Sequence, residues 1–189
     1  LSSFAGLAQA GAWVMPRGAG QAILKYEYLY ADRGFDAQGQ AFDLNSRRRD
    51  ESLGLFVEYG LSDRITLQFK GDLQDGTDDG LDYQGRGPVE VGATVQIWRD
   101  ERTAVSVYGG YSRSGDGRNA GYTAPGIGEQ DWEVRAAFGR SFGGLGGRAG
   151  PERSFAEVQI ARRFRQGLSD EIRTDVTVGS HLGSDWMIL

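Results

Sequence analysis

The residue types that most often carry catalysis are thin in this chain. It has one histidine, His181, and no cysteine. Thiolate nucleophiles, thiolate metal sites and a disulfide framework are therefore excluded. Ser180 directly precedes His181, and neighbours on an extended strand point to opposite faces, so the two cannot act as nucleophile and base for each other. No G-x-S-x-G elbow occurs. His181 reads as a polar residue of an inward-facing set near a strand end. The expectation is a protein with no enzymatic activity, cofactor or metal. DGTDDGLD (75–82) could offer carboxylates and carbonyls to calcium. It lacks the closing Glu of an EF-hand and reads better as a solvated loop. SRRRD (46–50) could meet lipopolysaccharide phosphates or simply balance nearby Asp residues. The GGLGGRAG stretch precedes no helix, which dismisses nucleotide binding. A net charge of −5, a pI near 5.0 and the lack of a long basic patch disfavour nucleic acid as a partner.

The remaining chemistry lies in charges that recur at every second position. In VEVGATVQIW (89–98), Val89, Val91, Ala93, Val95 and Ile97 alternate with Glu90, Gly92, Thr94, Gln96 and Trp98. Successive strand side chains face opposite ways, so this segment has one apolar and one mostly polar face. Seven other segments alternate likewise: 21–31, 51–59, 65–74, 104–112, 131–142, 155–164 and 171–182, with a further strand starting at Trp186. The polar set contains Lys25 and Glu27 in the first segment, Glu58 in the second, and Gln68, Lys70 and Asp72 in the third. It continues with Glu90 and Gln96, then Glu133 and Arg135, then Glu157, Gln159 and Arg163, and ends with Arg173 and Asp175. The opposite set contains Leu24, Leu55, Val57, Leu67, Phe69, Val91, Val95, Val107, Val134, Val158 and Val176.

Connections alternate in length over most of the chain. Residues 31–50, 75–87 and 113–130 read as long loops, whereas GLSDR (60–64) and RDERT (99–103) read as tight turns. Long connections on one side and short ones on the other are the organisation of an outer-membrane barrel. The pattern weakens later. By parity 143–153 should be tight and is not, while 164–171 should be long and is short. Either the short loop is real or a strand near Gly143 is miscounted. Residues 1–10 end in Ala8-Gln9-Ala10, the small-x-small pattern before a signal-peptidase cut, which makes Gly11 the first mature residue. The barrel domain is then 11–189, and the WMIL end reads as a strand just starting, with C-terminal strands missing.

Mean hydropathy is −0.45, with no apolar run near the roughly 20 residues of a spanning helix. That excludes a helical membrane protein but not a barrel. A soluble β-sandwich would explain the alternation equally well, with the charges on its solvated surface. It does not predict one-sided long loops, or strands near the 9–11 residues (roughly) of a spanning tilted strand. Tyr30, Tyr59, Tyr111, Trp132, Phe142 and Phe164 cluster near strand ends, as in aromatic girdles. Trp98 breaks that pattern, since its parity points inward.

The start GAWVMPRGAGQ (11–21), a long first loop and the hairpin turn EYGLSDRITL (58–67) follow one another in an order that resembles Gram-negative outer-membrane proteins grouped as putative transporters of the meta-pathway of phenol degradation. The resemblance implies an all-β, antiparallel, up-and-down transmembrane barrel with more strands than are visible here. It also implies uptake of small, often aromatic or apolar molecules. The expected function is a passive outer-membrane pore whose mixed-charge lumen, lined by the polar set, sets selectivity, while the apolar set meets outer-membrane lipid. A plugged structural or adhesive barrel acting through its loops is the alternative. A charged lumen favours hydrophilic solutes and the resemblance favours apolar ones, so the identity of the solute stays open.

Overall fold

Among the described residues, nine strands form one antiparallel sheet in strict chain order, curled into a half-barrel. The computed structural model describes residues 11–78, 80–115, 129–142, 154–182 and 186–188. The strands are β1 (Gly20–Phe35), β2 (Ala41–Ser62), β3 (Ile65–Asp78), β4 (Leu81–Arg99), β5 (Thr103–Arg113), β6 (Gln130–Phe142), β7 (Ser154–Arg165), β8 (Glu171–Leu182) and β9 (Trp186–Ile188). The period-two pattern thus becomes an all-β up-and-down sheet. β7 pairs with β6 and β8 directly, joined to β8 by residues 166–170 with Gly167 at φ 81°. The short 164–171 connection is therefore real, and among the described residues no strand intervenes between β6 and β7. The 143–153 connection and the side chain of His181 lie outside the described residues, as do residues 1–10.

Two of the expected long loops are corrected. β1 and β2 continue as a ladder to Phe35↔Ala41, and β3 and β4 to Asp78↔Leu81. The first hairpin closes around Asp36, whose carboxylate accepts the amides of Gln38 (3.0 Å) and Gln40 (2.7 Å), with Gly39 at φ 79°. Gly80, at φ 77°, ends the two-residue connection of the second. Such positive angles suit glycine and recur in two-residue hairpin loops. The polar arms pair by backbone hydrogen bonds, which need no hydrophobic signal.

Register fixes which face each side chain takes. The apolar set lies on the convex face. Leu24, Leu55, Leu67, Phe69, Val91, Val95, Val107, Val134, Val158 and Val176 are exposed there, and Val57 is half-buried. The polar set lies on the concave face, where Glu58, Gln96, Glu133, Glu157 and Arg163 are buried. Trp98 is the other correction. The ladder jumps from Gln96↔Ser106 to Trp98↔Val105, leaving Ile97 as an unpaired bulge residue. One extra residue reverses parity, so Trp98 joins Val105 on the convex side and is exposed. A second bulge sets Gly87 and Pro88 of β4 opposite Asp72, the kind of position where a proline is tolerated in a sheet.

Candidate functional site

Polar contacts fall into three tiers along the strands, the middle and third of them on the concave face. At the far end of the long hairpins both faces carry ion pairs: Arg48 lies 3.0 Å from Asp50 and 3.4 Å from Asp78 on the concave side, while its strand neighbour Arg49 lies 3.2 Å from Glu51 and 2.8 Å from Asp75 on the opposite side. Thr77 donates to Asp82 at 2.6 Å. The basic run 46–50 thus pairs with the acidic stretch 75–82, and Asp75, Asp78 and Asp82 are engaged by their neighbours rather than gathered around a common centre.

The middle tier is centred on Glu133 of β6. Arg163, its register partner on β7, binds it at 2.8 Å, Arg135 approaches to 3.3 Å, and Arg173 of β8 also pairs with it. Arg163 reaches on to Glu90 at 3.2 Å, and Glu90 accepts the Tyr108 hydroxyl at 2.8 Å. The Arg135 guanidinium stacks over the Tyr108 ring, 4.4 Å from its centre, an attractive cation–π arrangement. That ring lies across Gly92 and Gly110, which face each other in the ladder; a Cβ on either would collide with it. Two glycines thus make a flat bed for an inward aromatic. Glu133 is only 4% exposed, and burying a carboxylate is costly unless cations and donors surround it. Here three arginines from three adjacent strands do so.

Between this cluster and β1 the face is hollow. A cavity of about 560 Å³ is lined by Gln21, Glu58, Gln68, Lys70, Arg135 and Asp175, among others. Glu58 receives the side-chain amides of Gln21 (2.5 Å) and Gln68 (2.9 Å). Lys25 and Glu27 pair at 2.8 Å on β1 but remain largely exposed. Asp72 packs over Gly87, and Gln159 accepts from Arg135 at 2.9 Å.

The third tier has no counterpart in the alternation of the sequence. Residues 11–16 do not lead straight into β1 but lie against the concave face at its tight-turn end. The Ala12 amide donates to Glu157 at 2.7 Å, Gln96 donates to the Ala12 carbonyl at 3.2 Å, and Ser106 to the Gly11 carbonyl at 2.8 Å. Met15 N–H donates to Thr66 at 2.7 Å. Trp13 meets Phe155 edge-on at 5.9 Å and covers Gly139, where a side chain would collide with it. Ala12 packs with Ala104 and Ala137 in a small apolar core. The only sequence cue is the run AWVM ahead of Pro16, too short to show a period. The polar members that hold it, Thr66, Gln96 and Ser106, look like any other inward residues.

The register therefore brings Glu90, Glu133, Arg135, Arg163 and Arg173 into one network, and Glu157, Gln159 and Gln96 around the N-terminal segment. It leaves Lys25 and Glu27 apart from both. No family model, curated protein or solved structure matches the chain.

Proposed function

We propose that the chain forms part of the wall of an outer-membrane β-barrel of a Gram-negative bacterium, through which small molecules pass passively along a mixed-charge lumen. The observation that carries this reading is an inversion of burial. Glu133 and Glu157 are 4% and 1% exposed, whereas Leu24, Trp132 and Val176 are 70%, 60% and 68% exposed on the opposite face. A water-soluble sheet buries its apolar face and solvates its charges. A face of contiguous exposed aliphatic residues calls for an apolar partner, and a closed barrel in lipid supplies one. Tyr111, Trp132 and Phe164 lie side by side across β5–β7 on that face, with the Tyr111 and Trp132 ring centres 4.9 Å apart and the rings tilted at 54°. Such a row fits the interfacial aromatic belt. The 22 residues of β2 extend about 70 Å at strand rise. That is well beyond a hydrocarbon layer of about 30 Å, so the paired arms of the first two hairpins would project into the exterior. The motif order noted at 11–21 and 58–67 supports placing the chain among transporters of the phenol meta-pathway type.

The seated N-terminal segment favours a second reading, in which the barrel is narrowed or plugged at its turn end and acts through its projecting hairpins, with lipopolysaccharide as a partner for the rim arginines. Two measurements on the full gene product separate the possibilities. Extracted from outer membranes in detergent, it should migrate faster in SDS before boiling than after. In a planar bilayer it should then show steady conductance. A heat shift without conductance would favour the plugged barrel. Recovery in the aqueous fraction with no shift would end both readings.

A further inference from the structure

Two deeply buried carboxylates on the concave face are compensated differently. Glu133 has three arginines. Glu157, 1% exposed, has no ion-pair partner among the described residues. It is held instead by the Ala12 amide at 2.7 Å and by the side-chain amide of Gln159, with the Gly11 nitrogen one residue away along the chain and the Arg135 charge acting from a distance. Gly11 is fixed at its other end by the Ser106 hydroxyl at 2.8 Å, and a Cβ on it would sit 2.9 Å from Gln159 Nε2, close against the side chain that also holds Glu157. The residues just before it are Ala8-Gln9-Ala10, a signal-peptidase recognition pattern. A buried carboxylate with no cation in contact and a cut that would create a cation thus lie next to each other.

We propose that hydrolysis of the Ala10–Gly11 bond during export turns the Gly11 nitrogen into the ammonium partner of Glu157, so that the mature N-terminus is anchored inside the barrel and holds residues 11–16 across its turn end. The inference rests on the outer-membrane reading, because export supplies the peptidase. One water is consumed. Ala10 departs as a carboxylate, and the proton this releases is kept by the Gly11 amine, an α-amine with an ordinary pKa of about 7.7–8.0. An amide that offers one neutral hydrogen bond becomes a charged donor of three, and charge-assisted bonds are the stronger kind.

The test uses protein extracted from outer membranes in detergent, with the heat shift recorded on the same sample. Trypsin should release an N-terminal peptide running from Gly11 to Arg17. An acetylating reagent applied to the folded protein should label the Gly11 amine about tenfold more slowly than in the boiled protein, because labelling requires the docked segment to open. Glu157→Gln should remove that protection while the heat shift persists. Should Glu157→Gln fail to fold, Ser106→Ala, which loosens the Gly11 carbonyl and leaves the charge, should raise labelling in a barrel that still shifts. An N-terminal peptide beginning elsewhere in a heat-shifting sample would overturn the proposal and leave the barrel reading intact. So would a Gly11 amine labelled equally fast folded and boiled. Soluble protein with no heat shift and no Gly11 terminus would overturn both.

Discussion

Glu27 and Glu133 belong to the same inward set and each has a basic neighbour, yet their surroundings differ sharply. Glu27 pairs with Lys25 at 2.8 Å on β1, and the side chains remain 60% and 66% exposed. Glu133 sits on β6, well inside the sheet, among Arg135, Arg163 and Arg173, with its own side chain 3% exposed. Water screens the first pair, so each charge stands almost alone. In the second group no member can be removed without stranding the others. Parity decides which face a charge takes. The register of neighbouring strands decides whether it becomes part of the wall.

The largest effect is expected from Glu133→Ala. Three arginines would lose their common counter-charge, and breaking a buried ionic cluster typically costs about 3–5 kcal/mol. Urea unfolding followed by loss of the heat-shifted band would measure this. In planar bilayers the surviving pores should move their reversal potential toward anions, because a negative charge has left a positive cluster. An unchanged midpoint and potential would mean that the cluster does not form.

Next comes Gly92→Leu. A side chain there would meet the Tyr108 ring, and overpacking a filled site costs about 1–3 kcal/mol. The double variant with Tyr108→Ala should recover part of the loss. Failure to recover it would place the ring elsewhere.

Lys25→Ala should fall near the other extreme. Exposed pairs contribute about 0–1 kcal/mol, so its midpoint should match the parent within error. A large loss would show that β1 is covered in the assembled barrel.

The smallest effect belongs to Asp100 in the turn between β4 and β5. The backbone amides of Arg102 and Thr103 hold its carboxyl below the ordinary carboxylate range. A lowered folded value stabilises above the unfolded pKa, and that contribution fades as pH falls through the folded value. The parent should therefore lose slightly more heat-shift temperature between neutral and acidic pH than Asp100→Asn does. Equal slopes would remove the turn from the account.

What the sequence made legible was what hydrophobic alternation encodes. Eight strands, their order and the face of each charge all followed from a period of two. The long arms of β1–β4 are not legible in this way, because Gly, Asp and Arg dominate there and the few apolar residues, such as Phe42 and Leu44, are too isolated to mark a period. A cue is nevertheless present in the Asp79-Gly80 pair, a strong two-residue hairpin signal inside an acidic stretch. The face of Trp98 is not legible, because a bulge at Ile97 shifts parity without leaving any trace in composition. The seat of residues 11–16 was hidden for another reason. Its contacts span sequence separations of 145 residues for Ala12–Glu157, 95 for Gly11–Ser106 and 84 for Ala12–Gln96. Only a curled sheet brings those partners together. The meeting of Glu133 with Arg173 likewise needs two registers, β6 to β7 and β7 to β8.

The central claim is that the convex face meets lipid. The sequence has four tryptophans: Trp13, Trp98, Trp132 and Trp186. The most direct measurement leaves Trp132 alone, with the other three changed to Phe, in protein reconstituted in vesicles whose acyl chains carry bromine. Trp132 fluorescence should be strongly quenched by the brominated chains and little affected by aqueous acrylamide. A companion protein keeping only Trp13, packed on the concave side against Phe155, should resist the brominated chains. If Trp132 is instead quenched by acrylamide and ignores the brominated lipid, the convex face is not in the membrane and the barrel reading is wrong.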